Sequence, residues 1–339
     1  MSIVTTPREI QLMIFGQLKV SDLLRVSETC HRLKDVARDP ALWRQLTLTY
    51  EKVKNNNEAC RNHVSRCSSL REIFIIGEEK TIRSDKIMNV VMKANKDNPT
   101  SIILSSSFAG LSNSSFEKIA DMTKLTHLAV GGSKLKKDGI ENLAVLTELR
   151  SLKVPGIDCG PMTPMAALAN VFSILKKLEE VEIIMDRTFP SDEVVESLVN
   201  NNPNLHHLDI STSSIPSYHH HQNSKLSSSS LTLIANSCPQ LTYIGIGNLA
   251  MFRSNDILEL VTKCPKLKHA NFERTHIDDA ALDMMSTNCL ELEYLSISGC
   301  YKITPHSLDR LEQSLPNLEI ADDEEEYNMG PQLFFCSLM

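Results

Sequence analysis

The chain has 339 residues, of which 42% are hydrophobic and 23% charged, a composition typical of folded globular proteins and long enough for two or more domains. Much of its formal net charge of −7 comes from the acidic run Asp322 to Glu326, and no basic stripe with interleaved aromatic residues argues for nucleic-acid binding. The sequence contains no apolar run of about 18 residues and no N-terminal secretory signal, so it predicts a cytoplasmic protein without a membrane span.

The first 48 residues predict a small all-helical domain. Pro7 precedes a helical pattern whose apolar positions are Ile10, Ile14 and Leu18. Ser21 and Asp22 open a second helix, whose apolar positions are Leu23, Leu24, Val26 and Cys30. A segment of this length rarely builds an adequate core alone, so we expect it to dock on the rest of the chain, on a partner, or on both.

This segment resembles an F-box. Six clusters carry the resemblance: P-x-E-I at 7–10, I-F at 14–15, Leu18, D-L-L at 22–24, C-H-R at 30–32 and D-P-x-L-W at 39–43, which ends on the sole tryptophan. The chain departs from the usual motif at Thr6, Thr29 and Leu33. F-boxes bind the Skp-type adaptor of cullin-based ubiquitin ligases, so the resemblance implies adaptor contacts at Pro7, Ile10, Ile14, Leu18, Leu23, Leu24, Cys30 and Trp43.

After a connecting helix or linker at 49–66, one phrase of the form L-x-x-L-x-L recurs from residue 67 to 320. Its first leucines stand mostly 24 to 29 residues apart, at Leu70, Leu125, Leu149, Leu178, Leu205, Leu241, Leu267 and Leu292, with a weaker copy near residue 100 and a terminal one at Leu315 to Ile320. This period is typical of leucine-rich repeats. We therefore predict an α/β fold, a curved solenoid of about nine or ten repeats behind the F-box.

Several of the nine cysteines occupy one position of the repeat, three residues before the anchor leucine. That position holds Cys67, Met122, Leu146, Leu175, Asn202, Cys238, Cys264, Cys289 and Leu315. A position that accepts Cys, Met or Leu favours compact apolar packing, whereas a metal site would need a thiolate each time. We predict buried thiols and no metal or other cofactor.

The residue before the second apolar position of each phrase should project from the concave face. It is Glu72, His127, Ser151, Glu180, His207, Tyr243, His269 and Tyr294 along the chain. The last four should form a row about 5 Å apart, the spacing of adjacent strands. Because Tyr is favoured in binding hot spots, we predict target binding at His207, Tyr243, His269 and Tyr294. Acidic residues on the same face, Glu180, Glu182, Asp209 and Glu273, suggest a target with some basic character.

Two further segments stand out. The stretch 216–230 interrupts the repeats with His219 to His221 in a Ser-rich context, which favours a solvated inserted loop over a metal site. The acidic tail 321–339 ends in Cys336-Ser337-Leu338-Met339, a loose prenylation motif that would farnesylate Cys336 and allow reversible membrane association. Chance is the alternative explanation of that ending.

The combination is similar to the F-box and leucine-rich-repeat substrate receptors of Skp–cullin–F-box ubiquitin ligases. That resemblance implies a non-catalytic subunit that holds an unidentified target protein for ubiquitination on its concave face, while the F-box binds the adaptor. No G-x-S-x-G, P-loop, H-E-x-x-H or paired-cysteine motif points to an enzyme. The alternative is a ligase-independent scaffold or inhibitor in which the F-box remnant caps the solenoid.

Overall fold

A computed structural model describes residues 3–18, 20–49, 70–76, 99–104, 113–131, 137–154, 165–185, 190–212 and 226–322. Short helices occupy the N-terminus, and a parallel sheet backed by helices follows. This order confirms the predicted fold class. Across the described residues, no helix is long and apolar enough to span a bilayer.

The N-terminal segment has three α-helices where the sequence predicted two. They are α1 (Arg8–Phe15), α2 (Val20–Ser27) and α3 (His31–Ala37), flanked by 3-10 turns at Ile3–Thr5 and Pro40–Leu42. Leu18 lies beyond α1, which ends at Phe15 with Gly16 as its C-cap, and Cys30 precedes α3 instead of extending α2. The apolar spacing continues across both breaks, which is why the sequence alone placed these residues inside the helices.

Eleven described strands form one parallel sheet in chain order. The first four are β1 (Gln45–Thr49), β2 (Glu72–Ile76), β3 (Ser101–Leu104) and β4 (His127–Val130). The others are β5 (Ser151–Lys153), β6 (Glu180–Glu182), β7 (His207–Asp209), β8 (Tyr243–Gly245), β9 (His269–Asn271), β10 (Tyr294–Ser296) and β11 (Glu319–Ala321). Strand β3 is the weak copy near residue 100, and β1 starts inside the segment assigned to the helical domain.

From β3 onward, the described helices connect successive strands and pack against one another along the solenoid. The described ones are α4 (Asn113–Ala120), α5 (Lys137–Glu141), α6 (Met165–Ile174), α7 (Asp192–Asn201), α8 (Ser228–Ser237), α9 (Ser254–Lys263), α10 (Asp279–Asn288) and α11 (Pro305–Ser314). The core lies between these helices and the sheet, and it is continuous with the core of the N-terminal segment. One hydrophobic cluster therefore runs from Phe15 to Leu315.

The repeat position three residues before each anchor leucine is buried wherever it is described, as predicted. Burial raises the pKa of Cys238, Cys264 and Cys289 to about 12, so these thiols stay protonated at neutral pH. Asn202 fits the same position because its side chain is fully hydrogen-bonded. Its Oδ1 accepts from the Leu178 N–H at 2.8 Å, and its Nδ2 donates to the Leu198 carbonyl at 2.9 Å.

Aspartates at the start of one helix fix the start of the next. Asp279 accepts hydrogen bonds from the Thr304 N–H (2.8 Å), the Thr304 hydroxyl (2.9 Å) and the Ser307 hydroxyl (2.5 Å). Thr304 is the N-cap residue of α11, and Pro305 follows it at the first helical position. Asp192 receives the equivalent bonds from Ser227 and Ser230 at the start of α8. These bonds hold neighbouring repeats together at their helical side.

Some sequence predictions fall outside the described residues. They concern the linker after Thr49, Cys67, the histidines His219 to His221, and the tail from residue 323 to 339 with Cys336.

Candidate protein-binding surfaces

Helix α1 exposes an apolar stripe. Ile10, Met13 and Ile14 are 43%, 69% and 42% exposed, and their spacing of three and four residues places them on one side of the helix. The other side carries Gln11 and Phe15, which are buried. Apolar side chains exposed in this way cost hydration free energy in the free chain.

Trp43 is buried and is not part of this stripe. It is 4% exposed, and its Nε1 donates a hydrogen bond to the Ala37 carbonyl at 2.7 Å. Leu23 is 2% exposed in the same hydrophobic cluster. Two of the side chains predicted to contact the adaptor, Leu23 and Trp43, are thus packed inside the chain's own core.

The D-P-x-L-W cluster has a clear structural role. Asp39 accepts a hydrogen bond from the Ala41 N–H at 3.0 Å and thereby caps the 3-10 turn Pro40–Leu42 that leads into Trp43. The Ala41 bond and the guanidinium of Arg8, 2.6 Å away, lower the pKa of Asp39. The turn is thereby tied to the start of α1.

The remaining predicted adaptor residues differ in exposure. Pro7 and Cys30 are exposed, and Leu18 is half-buried against the core. Leu24 lies in α2, but the structure does not describe its side chain. Met13 was not predicted, although its place three residues after Ile10 was a usable signal.

The concave side of the sheet carries two rows of side chains, because alternate strand residues face the same way. Strand register places the first row as Glu72, Ser101, His127, Ser151, Glu180, His207, Tyr243, His269, Tyr294 and Glu319. This arrangement confirms the predicted alignment of the row and adds Ser101 and Glu319. The second row includes Lys153, Glu182, Asp209, Gly245 and Asn271.

The aromatic residues in the first row are in contact. The rings of His207 and Tyr243 stack at 4.1 Å and 9°, and those of Tyr243 and His269 are 6.4 Å apart. Tyr243, which the sequence predicted as a direct target contact, is only 4% exposed, so its side chain forms part of the floor of this face. His269 and Tyr294 are half-buried and keep accessible surface. Burial lowers the pKa of His269, which favours its neutral form.

Lys153 organises the carboxylates in the middle of the face. Its Nζ lies 2.8 Å from Glu182 Oε1 and 3.5 Å from Glu180 Oε2, and His207 Nε2 lies 2.8 Å from the same Glu182 oxygen. Burial alone would raise the pKa of Glu182. The His207 hydrogen bond and the Lys153 charge outweigh that effect and leave this pKa below its usual value.

Asp209 lies over a glycine in the neighbouring strand. Its carboxylate accepts from the Tyr243 hydroxyl at 2.9 Å and the Ser211 N–H at 2.9 Å, and a Cβ on Gly245 would overlap it. Burial and the nearby Glu182 charge raise the pKa of Asp209. Gly245 is thus required by the close approach of this carboxylate.

In the part of the chain that the structure describes, no group of three or more His, Cys, Asp or Glu side chains is arranged to hold a metal ion.

Comparisons with known proteins agree with this architecture. An F-box-like family model matches residues 7–49. F-box/LRR-repeat protein 5 of Salmo salar is 36% identical over 67 residues, which are 19% of this chain and 10% of that protein, and the Mus musculus protein is 34% identical over 64 residues (18% and 9%). The matches thus span about a tenth of these curated relatives.

Among solved structures, a chain in the crystal structure of the Rad7 and Elc1 complex in yeast has a TM-score of 0.55 at 12% identity and 94% coverage of both chains. This likeness concerns the fold. Taken with the family match, it shows that the chain carries an F-box-like domain at residues 7–49 followed by a leucine-rich-repeat solenoid.

Proposed function

We propose that the chain is the substrate-recognition subunit of a Skp–cullin–F-box ubiquitin ligase. In this role the F-box-like domain binds a Skp-type adaptor, and the concave face of the solenoid binds the target protein. The chain itself performs no bond chemistry; it raises the local concentration of the target near the ubiquitin-conjugating enzyme.

The observation that carries this proposal is the exposed stripe Ile10, Met13 and Ile14 within the F-box-like segment. A segment that only capped the solenoid would turn its apolar side chains inward, as it does with Phe15, Leu23 and Trp43. The stripe points outward instead, which supports a second protein as its partner.

The test is a pull-down of a purified Skp-type adaptor with the full chain and with Ile10→Asp/Ile14→Asp. We expect the substitution to weaken adaptor binding at least about 100-fold, because two carboxylates would be buried at the centre of an apolar interface. Leu290→Asp is the matched control, since Leu290 is 67% exposed on the solenoid. Equal adaptor binding by the F-box variant, the control and the unchanged chain would contradict the proposal.

The second candidate is a ligase-independent scaffold or inhibitor. In its favour, the F-box-like segment leads directly into β1, and its core is continuous with that of the solenoid. A full chain that binds no adaptor but still retains a target on its concave face would support this candidate.

A further inference from the structure

The concave face has an unequal charge distribution. The two side-chain rows of the described strands contain five carboxylates, Glu72, Glu180, Glu182, Asp209 and Glu319, and one lysine, Lys153. Lys153 is itself within 4 Å of Glu180 and Glu182. The face thus presents a negative potential, which favours a positively charged ligand.

An independent observation comes from the loops that follow β8 and β9. Glu273 Oε1 and Asn248 Oδ1 are buried acceptor atoms without a hydrogen-bond donor. The two loops are adjacent, because the Asn248 N–H donates to the Glu273 carbonyl at 2.7 Å. Arg274 Nη1 forms an ion pair with Glu273 Oε1 at 3.7 Å, a distance too long for a hydrogen bond. A buried carboxylate oxygen without a hydrogen-bond donor is unfavourable even beside a cation, and a donor from a partner would relieve it.

The strands before and after Glu273 along the chain each carry an aromatic side chain. His269 and Tyr294 are half-buried in the first row, and Glu273 follows His269 by four residues, beyond the end of β9, where its N–H donates to Asn271 Oδ1 at 3.1 Å. Flat rings and a carboxylate at neighbouring positions suit a segment with guanidinium or ammonium groups, which stack on a ring or donate to an acid.

From these observations we infer that the concave face between β6 and β10 binds a target segment that carries arginine or lysine side chains. The inference rests on the proposed function in taking the bound partner to be the target protein. The basic side chains pair with Glu273 and Glu180, while Tyr243 and Asp209 form the floor beneath them.

The test uses the full chain and three pools of randomised 15-residue peptides that differ only at four fixed positions, occupied by Arg, Gln or Glu. Binding is measured by fluorescence anisotropy. We expect the Arg pool to bind at least about tenfold more tightly than the Gln pool, the Glu pool to bind most weakly, and the preference to shrink as salt is raised.

The variant Glu180→Gln/Glu273→Gln removes two charges and keeps the side-chain shape. It should weaken binding of the Arg pool about tenfold, consistent with two partly screened ion pairs. The matched control is Glu117→Gln/Glu312→Gln, which removes the same charge from exposed positions on α4 and α11 and should leave binding unchanged.

Three results would overturn the inference: no difference among the pools, preference for the Glu pool, or an equal loss in the concave and control variants. The adaptor pull-down on the same preparations reports separately on the proposed function, since none of the four substituted residues lies in the F-box-like domain.

Discussion

The two candidate surfaces of this chain differ in what they bury. Helix α1 leaves apolar side chains in water, whereas the concave face draws Lys153, Glu182, Asp209 and Tyr243 almost completely out of water. With the proposed partners, the first surface would gain free energy by apolar burial. The second already satisfies most of its polar groups internally, so it would discriminate between targets through the few charges left accessible.

The comparison can be tested most strongly at Trp43. Trp43→Ala should lower the free energy of unfolding by about 3–5 kcal/mol, because it leaves a cavity under α1 and frees the Ala37 carbonyl. Urea unfolding followed by circular dichroism measures the change. Trp43→Phe keeps most of the apolar volume and should cost about 1–2 kcal/mol. If the alanine variant kept its stability but lost adaptor binding, Trp43 would belong to the adaptor interface, which would contradict its assignment to the core.

On the concave face, the packing of charge against backbone is tested at Gly245. Gly245→Ala should cost about 1–3 kcal/mol, because the new Cβ displaces the Asp209 carboxylate from Tyr243 and Ser211. Gly247→Ala is the control, since its Cβ would lie 3.0 Å from the Asn271 amide, which can shift, and its cost should stay below about 1 kcal/mol. Equal costs in urea unfolding would show that the Asp209 contact is not the cause.

The smallest effects separate satisfied from unsatisfied carboxylates on this face. The pKa of Glu182 is lowered, so its ionised form stabilises the folded chain. The free energy of unfolding of the native chain should therefore exceed that of Glu182→Gln at neutral pH, and this difference should shrink as the pH falls through and below the usual glutamate range. Burial raises the pKa of Glu273 despite Arg274, so the native chain should lose stability relative to Glu273→Gln as pH rises above about 4.5 and through the raised value.

Unfolding free energies of the three proteins between about pH 3 and 8 measure both differences. Slopes of the same sign for the two variants would contradict the assignment of Glu182 as paired and Glu273 as lacking a donor.

The sequence predicted the solenoid well because its leucines recur with the period of the repeat. Leu205 and Leu241 are buried as expected, and strand register aligned the row from Glu72 to Tyr294 as the spacing implied. The candidate sites were predicted less completely. Leu23, Trp43 and Tyr243 were expected at interfaces, and all three are buried, because a motif records which residue types occur together and not which side of the surface they occupy.

Met13 and Gly245 show a second limit of prediction from the sequence, which is that it misses roles created by contacts between distant elements. The exposure of Met13 depends on how α1 packs on α3, and the role of Gly245 depends on an aspartate 36 residues earlier in the chain. The spacing of Met13 from Ile10 was a local signal that the two lie on one side of α1, but which side faces outward depends on contacts across elements, and the role of Gly245 has no local sequence signal.

The sequence by itself determined the repeat period, the parallel order of the strands and the F-box-like segment, because these follow from apolar spacing and local motifs. Only the tertiary structure decided which apolar residues of that segment face outward and which carboxylates of the concave face lack a donor. Both depend on which side chains from distant parts of the chain are in contact, because these contacts determine the free energy of burial and of hydrogen bonding.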